Sequence, residues 1–242
     1  METSKHSGLE AHQPPSKYKT ALLTGCGSKF GKIILNQVLH RFDRVDLITG
    51  NKELKSKGSK GKLHIHHIDW RESLEYFMNY KVPQNKDPYS LVFFNHNTAP
   101  QGFGIDDYYK DVLWTQEIIN SIHLHADIKI GWMITAGIIS PPDWFEYSPY
   151  FHHKHSRLYL MYFMQHLHKG SYFAIDPGEP TNWTREERKQ QAIRMANFME
   201  GNIPGATIYK AVGGNREPEL NWKLDWVKEE DFINDEDPFI YD

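Results

Sequence analysis

Apolar positions fall along this chain in two alternating rhythms. Short runs such as Ala21-Leu22-Leu23 are continuous and bounded by turn residues, as buried strands are, whereas the stretch from Phe30 to Phe42 repeats its apolar residues at helical spacing. Read in order, the pattern predicts strands at 20–24, 45–49, 63–68, 91–95, 128–135, 172–176 and 206–211, and helices at 29–42, 72–80, 106–125, 151–168 and 185–199. Strands and helices that take turns in this way form a doubly wound parallel sheet with helices on both faces, a three-layer α/β/α arrangement. Such sheets bind ligands outside the carboxyl ends of their strands. The segments that follow strands are therefore the place to look for chemistry.

Length and composition narrow the picture. The 242 residues suit a single α/β domain with a sizeable core, expected over 18–214. Residues 1–17 read as a flexible, polar leader, and 215–242 as an acidic extension. Trp222, Trp226, Phe232 and Phe239 in that extension argue for packing against the body or a neighbouring subunit. A net charge of -3 gives no general pull toward nucleic acid or an anionic membrane. No apolar run of about 18 residues is present to span a bilayer, and the amino terminus lacks the apolar core of a signal peptide. Cys26 is the single cysteine, so no internal disulfide can form, and a cytoplasmic protein is expected. Among 14 histidines, His64 and His66 share a strand face and His152, His153 and His155 crowd a helix start. Neither set has the carboxylate or cysteine of a recurring ligand spacing, so no metal is expected. The basic stretch 52–62 reads as a solvated loop.

Residues 20–32, TALLTGCGSKFGK, join a strand to a helix through glycines at 25, 27 and 31. Glycines let the backbone approach a pyrophosphate, and the N-terminus of the following helix offers unpaired N–H groups and partial positive charge. The spacing is one residue longer than the common dinucleotide fingerprint, so the turn alone leaves open whether it cradles a phosphate or merely bends. Cys26 occupies a place in this turn where a small residue is wanted.

Tyr150 and Lys154 stand four apart at the start of a predicted helix, on one face and one turn from each other. A phenol with a reference pKa near 10 exchanges protons poorly at neutral pH. An ammonium about 4–6 Å away stabilises the phenolate by roughly 3–4 kcal/mol at an effective dielectric of 20, enough to bring it into the range of a general acid/base. At the end of the second strand, VDLITGNK, no acidic side chain is placed to accept from a ribose 2′-hydroxyl. Thr49 and Asn51 are neutral, Lys52 follows, and Lys29 can approach from the glycine turn, so NADP is expected rather than NAD. Asp46 comes too early in the strand to reverse this.

The order of these features resembles the short-chain dehydrogenase/reductase family, over about residues 19–214. The matching pieces are Thr24 to Gly31, Asp69 in HHIDW, Asn95 to Ala99 in FFNHNTA, Thr135 in MITAG, Tyr150 with Lys154, Asp176-Pro177-Gly178 with Thr181, and Gly213-Gly214. The resemblance implies a Rossmann-like fold and an oxidoreductase moving hydride between a nicotinamide cofactor and a small carbonyl or alcohol, without a metal. It implies roles as well. Tyr150 would transfer the proton, Lys154 would lower its pKa and hold the nicotinamide ribose, and Thr135 would hold the substrate oxygen. Thr24, Gly25, Gly27, Ser28, Lys29, Phe30 and Gly31 would line the phosphates, with Asn51 and Lys52 on the adenosine side. Asp69 would contact the adenine, Asn95, Asn97 and Ala99 would line the adenosine ribose, and Pro177, Gly178 and Thr181 would close over the nicotinamide. The family's subunits often pair through the helix after Lys154, where Tyr159, Tyr162 and Phe163 fall, so a homodimer or homotetramer is expected.

The sequence also departs from the family pattern. Lys29 stands where a glycine is usual, and the helix after Ala99 has Val112-Leu113-Trp114 beyond Asp111 rather than the expected asparagine. The assisting hydroxyl is open between Thr135 and Ser140, and Tyr147 competes with Tyr150 but stands seven residues from Lys154. Phe103, Trp144, Phe145 and Trp183 point to an aromatic-lined pocket. Two other functions remain compatible: an epimerase or dehydratase of a sugar nucleotide, disfavoured by the short stretch from Gly178 to Gly214, and a non-catalytic dinucleotide sensor.

Overall fold

A computed structural model describes residues 19–56, 61–68, 87–96, 105–134, 149–167, 170–178, 182–203, 205–211 and 219–221. Its strands are β1 (Thr20–Thr24), β2 (Arg44–Thr49), β3 (Leu63–His67), β4 (Tyr89–Phe94), β5 (Leu124–Met133), β6 (Ser171–Asp176), β7 (Ala206–Lys210) and β8 (Glu219–Asn221). The helices are α1 (Lys29–Leu39), α2 (Ile105–Ser121), α3 (Pro149–Leu167) and α4 (Arg185–Glu200). One sheet holds all eight strands in the order β3-β2-β1-β4-β5-β6-β7-β8. The first seven are parallel and β8 runs antiparallel to β7. The chain thus has the Rossmann-like doubly wound fold.

Alternation along the strands divides the core. Leu22, Val92, Trp132 and Ala174 face one layer with Trp114, Ile118 and Met161 from α2 and α3. Leu23, Phe93, Phe173 and Ile175 face the other with Ile34, Val38, Ala192 and Met195 from α1 and α4. Both faces of each central strand are covered, which is why β1, β4 and β6 read as continuous apolar runs. At the sheet centre Gly131 pairs with Phe93 on one side and Phe173 on the other. The two rings stack 6.0 Å apart, and a Cβ at Gly131 would fall 2.1 Å from the Phe173 ring. The missing side chain makes room for the aromatic pair.

The largest differences in boundary from the sequence pattern fall between α2 and β5. The predicted helix 106–125 ends at Ser121, and β5 starts at Leu124 instead of 128. The Tyr89 amide donates to the His123 carbonyl at 2.8 Å, drawing that segment into the sheet. Strand β8, within 215–242, has no counterpart in the pattern; it is three residues long and held by pairing to β7. The predicted helix 72–80 and the leader 1–17 lie outside the described residues.

Asp46, on β2, is fully buried and charged. Arg44 Nε and Nη2 donate to it at 2.9 and 3.1 Å, His66 Nε2 at 3.0 Å and the Tyr89 hydroxyl at 3.0 Å. Burial pushes its pKa up, but the hydrogen bonds from His66 and Arg44, the Arg44 charge and the bond from Tyr89 outweigh it and hold the carboxyl below its ordinary value. A carboxyl depressed in the folded state contributes stability that is present above its unfolded pKa and lost as pH falls through the folded one. Asp46→Asn is expected to cost about 1.5–3 kcal/mol at pH 7 by urea denaturation. Its deficit relative to the native protein should shrink as pH is taken below the ordinary carboxylate range; an equal deficit at both pH values would exclude a charged Asp46.

Candidate active site

The glycine turn leaves β1 at Thr24. Gly25 has φ of 81°, a left-handed value natural to glycine, and its amide donates to the Ile48 carbonyl at 2.9 Å. Its Cβ position lies 2.6 Å from the Cα of His96, so any larger residue there would collide with backbone. Cys26 follows at φ 58°. Ser28 then caps α1, its hydroxyl accepting from the Gly31 amide at 2.9 Å. A Cβ on Gly31 would meet the Cys26 Cα at 2.8 Å and the Asn95 side chain at 3.1 Å. Gly27 instead faces Asn51, whose side-chain amide would lie 3.3 Å from a Cβ there. Asn51 Oδ1 accepts from the Glu53 amide at 2.9 Å, which fixes the bend after β2. Lys29 and Lys52 are solvent-exposed on either side of this corner.

The Cys26 thiol is buried inside the turn. Burial pushes its pKa up to about 12, although Asn95 Nδ2 donates to Sγ at 3.4 Å and works the other way. The thiol is an inert part of the turn.

The ends of β4 and β5 form the floor beside it. Thr24 Oγ1 lies 2.6 Å from His96 Nδ1 and accepts a longer bond, 3.4 Å, from the His96 amide. Helix α3 carries Tyr150 in its first turn and Lys154 one turn later, as the spacing predicts. Lys154 is 2% exposed, and its Nζ donates to the Met133 carbonyl, the last of β5, at 3.5 Å. Arg157, 1% exposed, donates to the same carbonyl at 2.8 Å and to the His96 carbonyl at 3.0 Å. Across the sheet, Asp176 Oδ1 accepts from the Gly178 amide at 2.8 Å, and Gly178 has φ of 63°. Trp183 folds back from that loop to meet the Phe30 ring edge-on at 5.9 Å.

Thr24, Gly25, Gly27, Ser28, Lys29, Phe30, Gly31, Asn51, Asn95, Lys154, Pro177 and Gly178 therefore belong to segments at one carboxyl edge. Thr135, Ser140, Asp69, Asn97, Ala99, Thr181, Tyr147, Phe103, Trp144 and Phe145 lie outside the described residues, as does the Tyr150 side chain. Trp183 is buried, with its ring edge-on to Phe30 and beside Gly178. His66, weighed as a metal ligand, serves Asp46. Among the described residues no three His, Cys, Asp or Glu side chains gather as a metal site, and no helix is long and apolar enough to cross a membrane. The sequence reading missed His96 and Arg157. His96 sits inside the FFNHNTA stretch, and Arg157 is a second buried charge on α3, three residues past Lys154; a charge at helical spacing from Lys154 was the available signal.

No protein-family profile matches the sequence, and no curated protein matches it. Solved structures do. A carbonyl reductase from Pseudomonas aeruginosa PAO1 in complex with NADP superposes with a TM-score of 0.60 at 11% identity, over 79% of this chain and 96% of that one. A short-chain dehydrogenase/reductase variant from Serratia marcescens gives 0.57 at 14%, and acetoin dehydrogenase from Enterobacter cloacae 0.55 at 14%; both matches cover 80% of this chain and 95% of the other. The chain therefore has the fold of the short-chain dehydrogenases/reductases.

A thiol with a pKa of about 12 is on the order of one part in ten thousand ionised at pH 8, against about a quarter for a free cysteine. Iodoacetamide is accordingly expected to label native Cys26 at least about a hundredfold more slowly than the urea-unfolded chain. Equal rates in mass-spectrometric time courses would contradict this burial.

Proposed function

We propose that this chain is a divergent short-chain dehydrogenase/reductase that interconverts a carbonyl and a secondary alcohol on a small molecule, using a nicotinamide dinucleotide. The observation that carries this reading is the meeting of two sequence-distant parts at one carboxyl edge. One is the left-handed turn at Gly25 and Cys26. The other is the buried Lys154, one turn past Tyr150 and anchored to the end of β5. The turn fits a dinucleotide because it opens the N-terminus of α1 and is built of glycines pressed on neighbouring backbone, the form in which amides approach a pyrophosphate.

The dinucleotide, when bound, supplies or receives the hydride. In this reading Tyr150 gives the proton to the substrate oxygen or takes it. Lys154 stabilises the phenolate and holds the nicotinamide ribose, with Thr135 or Ser140 holding the substrate oxygen. Asp69 meets the adenine, Asn95, Asn97 and Ala99 line the adenosine ribose, and Pro177, Gly178 and Thr181 cover the nicotinamide. Exposed Lys29 and Lys52 flank the corner where a 2′-phosphate would lie, which favours NADP; Asp46 is committed to Arg44, His66 and Tyr89 and offers no ribose contact. Tyr159 and Phe163, one turn apart on α3 and 55% and 54% exposed, favour pairing of two copies through this helix. A cytoplasmic setting agrees with the single buried thiol.

Tyr150→Phe keeps the ring and removes the hydroxyl, so turnover is expected to fall by a factor of about 100 or more with cofactor affinity nearly intact. Full activity in that variant would move the proton to Tyr147 or another donor. Lys154→Ala should lose turnover and affinity together, as measured by steady-state rates and dinucleotide titration.

Cofactor choice has its own test. A charge-assisted phosphate contact is worth about 1.5–3 kcal/mol, which corresponds to roughly a tenfold to hundredfold preference for NADP(H). Lys29→Ala and Lys52→Ala should erode that preference in titrations with both dinucleotides. Equal or tighter NAD(H) binding by the native protein would reverse the assignment.

A further inference from the structure

We infer that Arg157 is a positioning residue that braces the helix carrying Tyr150 and Lys154 against the glycine turn; this rests on the reading of those two parts as acid–base pair and dinucleotide cradle. A guanidinium is costly to bury unless its donors find acceptors. Here a planar fork, which no ammonium reproduces, reaches carbonyls from two different strands, Met133 closing β5 at 2.8 Å and His96 beyond β4 at 3.0 Å. The Met133 carbonyl also receives Lys154 Nζ at 3.5 Å, so one oxygen registers both cations of α3.

From His96 the contacts continue without a gap. Its ring nitrogen lies 2.6 Å from the Thr24 hydroxyl, and its backbone is the surface on which Gly25 rests. Arg157, His96 and Thr24 are all buried, so water does not compete for these bonds. A chain of packed and hydrogen-bonded groups therefore runs from α3 to the first residues of the turn. Its length sets how far Lys154, and with it the phenol one turn earlier, stands from whatever the turn holds. Loss of the fork leaves two strand-end carbonyls without its donors and frees α3 to move relative to the turn.

Hydrogen–deuterium exchange of the full chain without ligand reads the brace directly. Arg157→Lys, whose single nitrogen cannot span both carbonyls, should raise exchange of amides 24–31 about tenfold while leaving 192–199 in α4 unchanged. Thr24→Val should give a similar local effect, and the double variant little more, because both interrupt one path. In turnover assays Arg157→Lys should lower kcat about tenfold with a smaller change in substrate KM. Arg157→Met should lower it further; if that protein fails to fold, the lysine variant carries the test. Unchanged exchange at 24–31 in Arg157→Lys, or exchange raised equally across the whole chain, overturns the brace. Exchange raised only at 24–31 in Arg157→Lys, where the native protein neither binds dinucleotide nor turns over a carbonyl, supports the brace and overturns the proposed function.

Discussion

Where β1 leaves the sheet, the backbone of Gly25 lies against that of His96 so closely that a side chain at position 25 would put its first carbon 2.6 Å from the His96 Cα. This approach fixes the height at which the turn crosses the end of β4. It also demands the left-handed conformation at Gly25, which carries over into Cys26 and leads the chain to Ser28, the cap of α1. The Asn95 amide is brought against the Cys26 sulfur, and the His96 carbonyl is left to receive the Arg157 guanidinium. A contact with no side chain on one partner thus sets the relation between α1 and α3, which do not follow one another in the chain.

Buried charge is used in two ways. Asp46, with Arg44 at the start of β2 and Tyr89 at the start of β4, answers a carboxylate with side-chain donors, and its partners tie three neighbouring regions of the sheet. Lys154 and Arg157, beyond the opposite ends of the strands, are answered by backbone carbonyls. The Asp46 set joins side chains of β2, β3 and β4, whereas the two cations of α3 join a helix to the ends of strands.

The central fold was legible in the sequence because its signals are local. Continuous apolar runs gave β1, β4 and β6, the glycines gave the turn, and the four-residue spacing of Tyr150 and Lys154 placed them on one helix face. What escaped depends on distant partners. The start of β5 is decided by a bond from Tyr89 to His123, and β8 exists through its pairing with β7. Arg157 gains its meaning from carbonyls 24 and 61 residues away, which no window of sequence contains. The contact of Trp183 with Phe30 escaped for the same reason, since Phe30 lies in the first turn of α1.

The stack of Phe93 on Phe173 over Gly131 bears on how such a chain drifts through evolution. Three positions on three adjacent strands share one volume, so the first step of any exchange is penalised: a methyl at 131 collides with a ring, and a shrunken ring at 173 leaves a hole above a glycine. Only paired changes are smooth. The sheet centre can be rewritten in a descendant, but in coordinated moves, so sequence likeness there fades in blocks while the backbone path it supports stays the same.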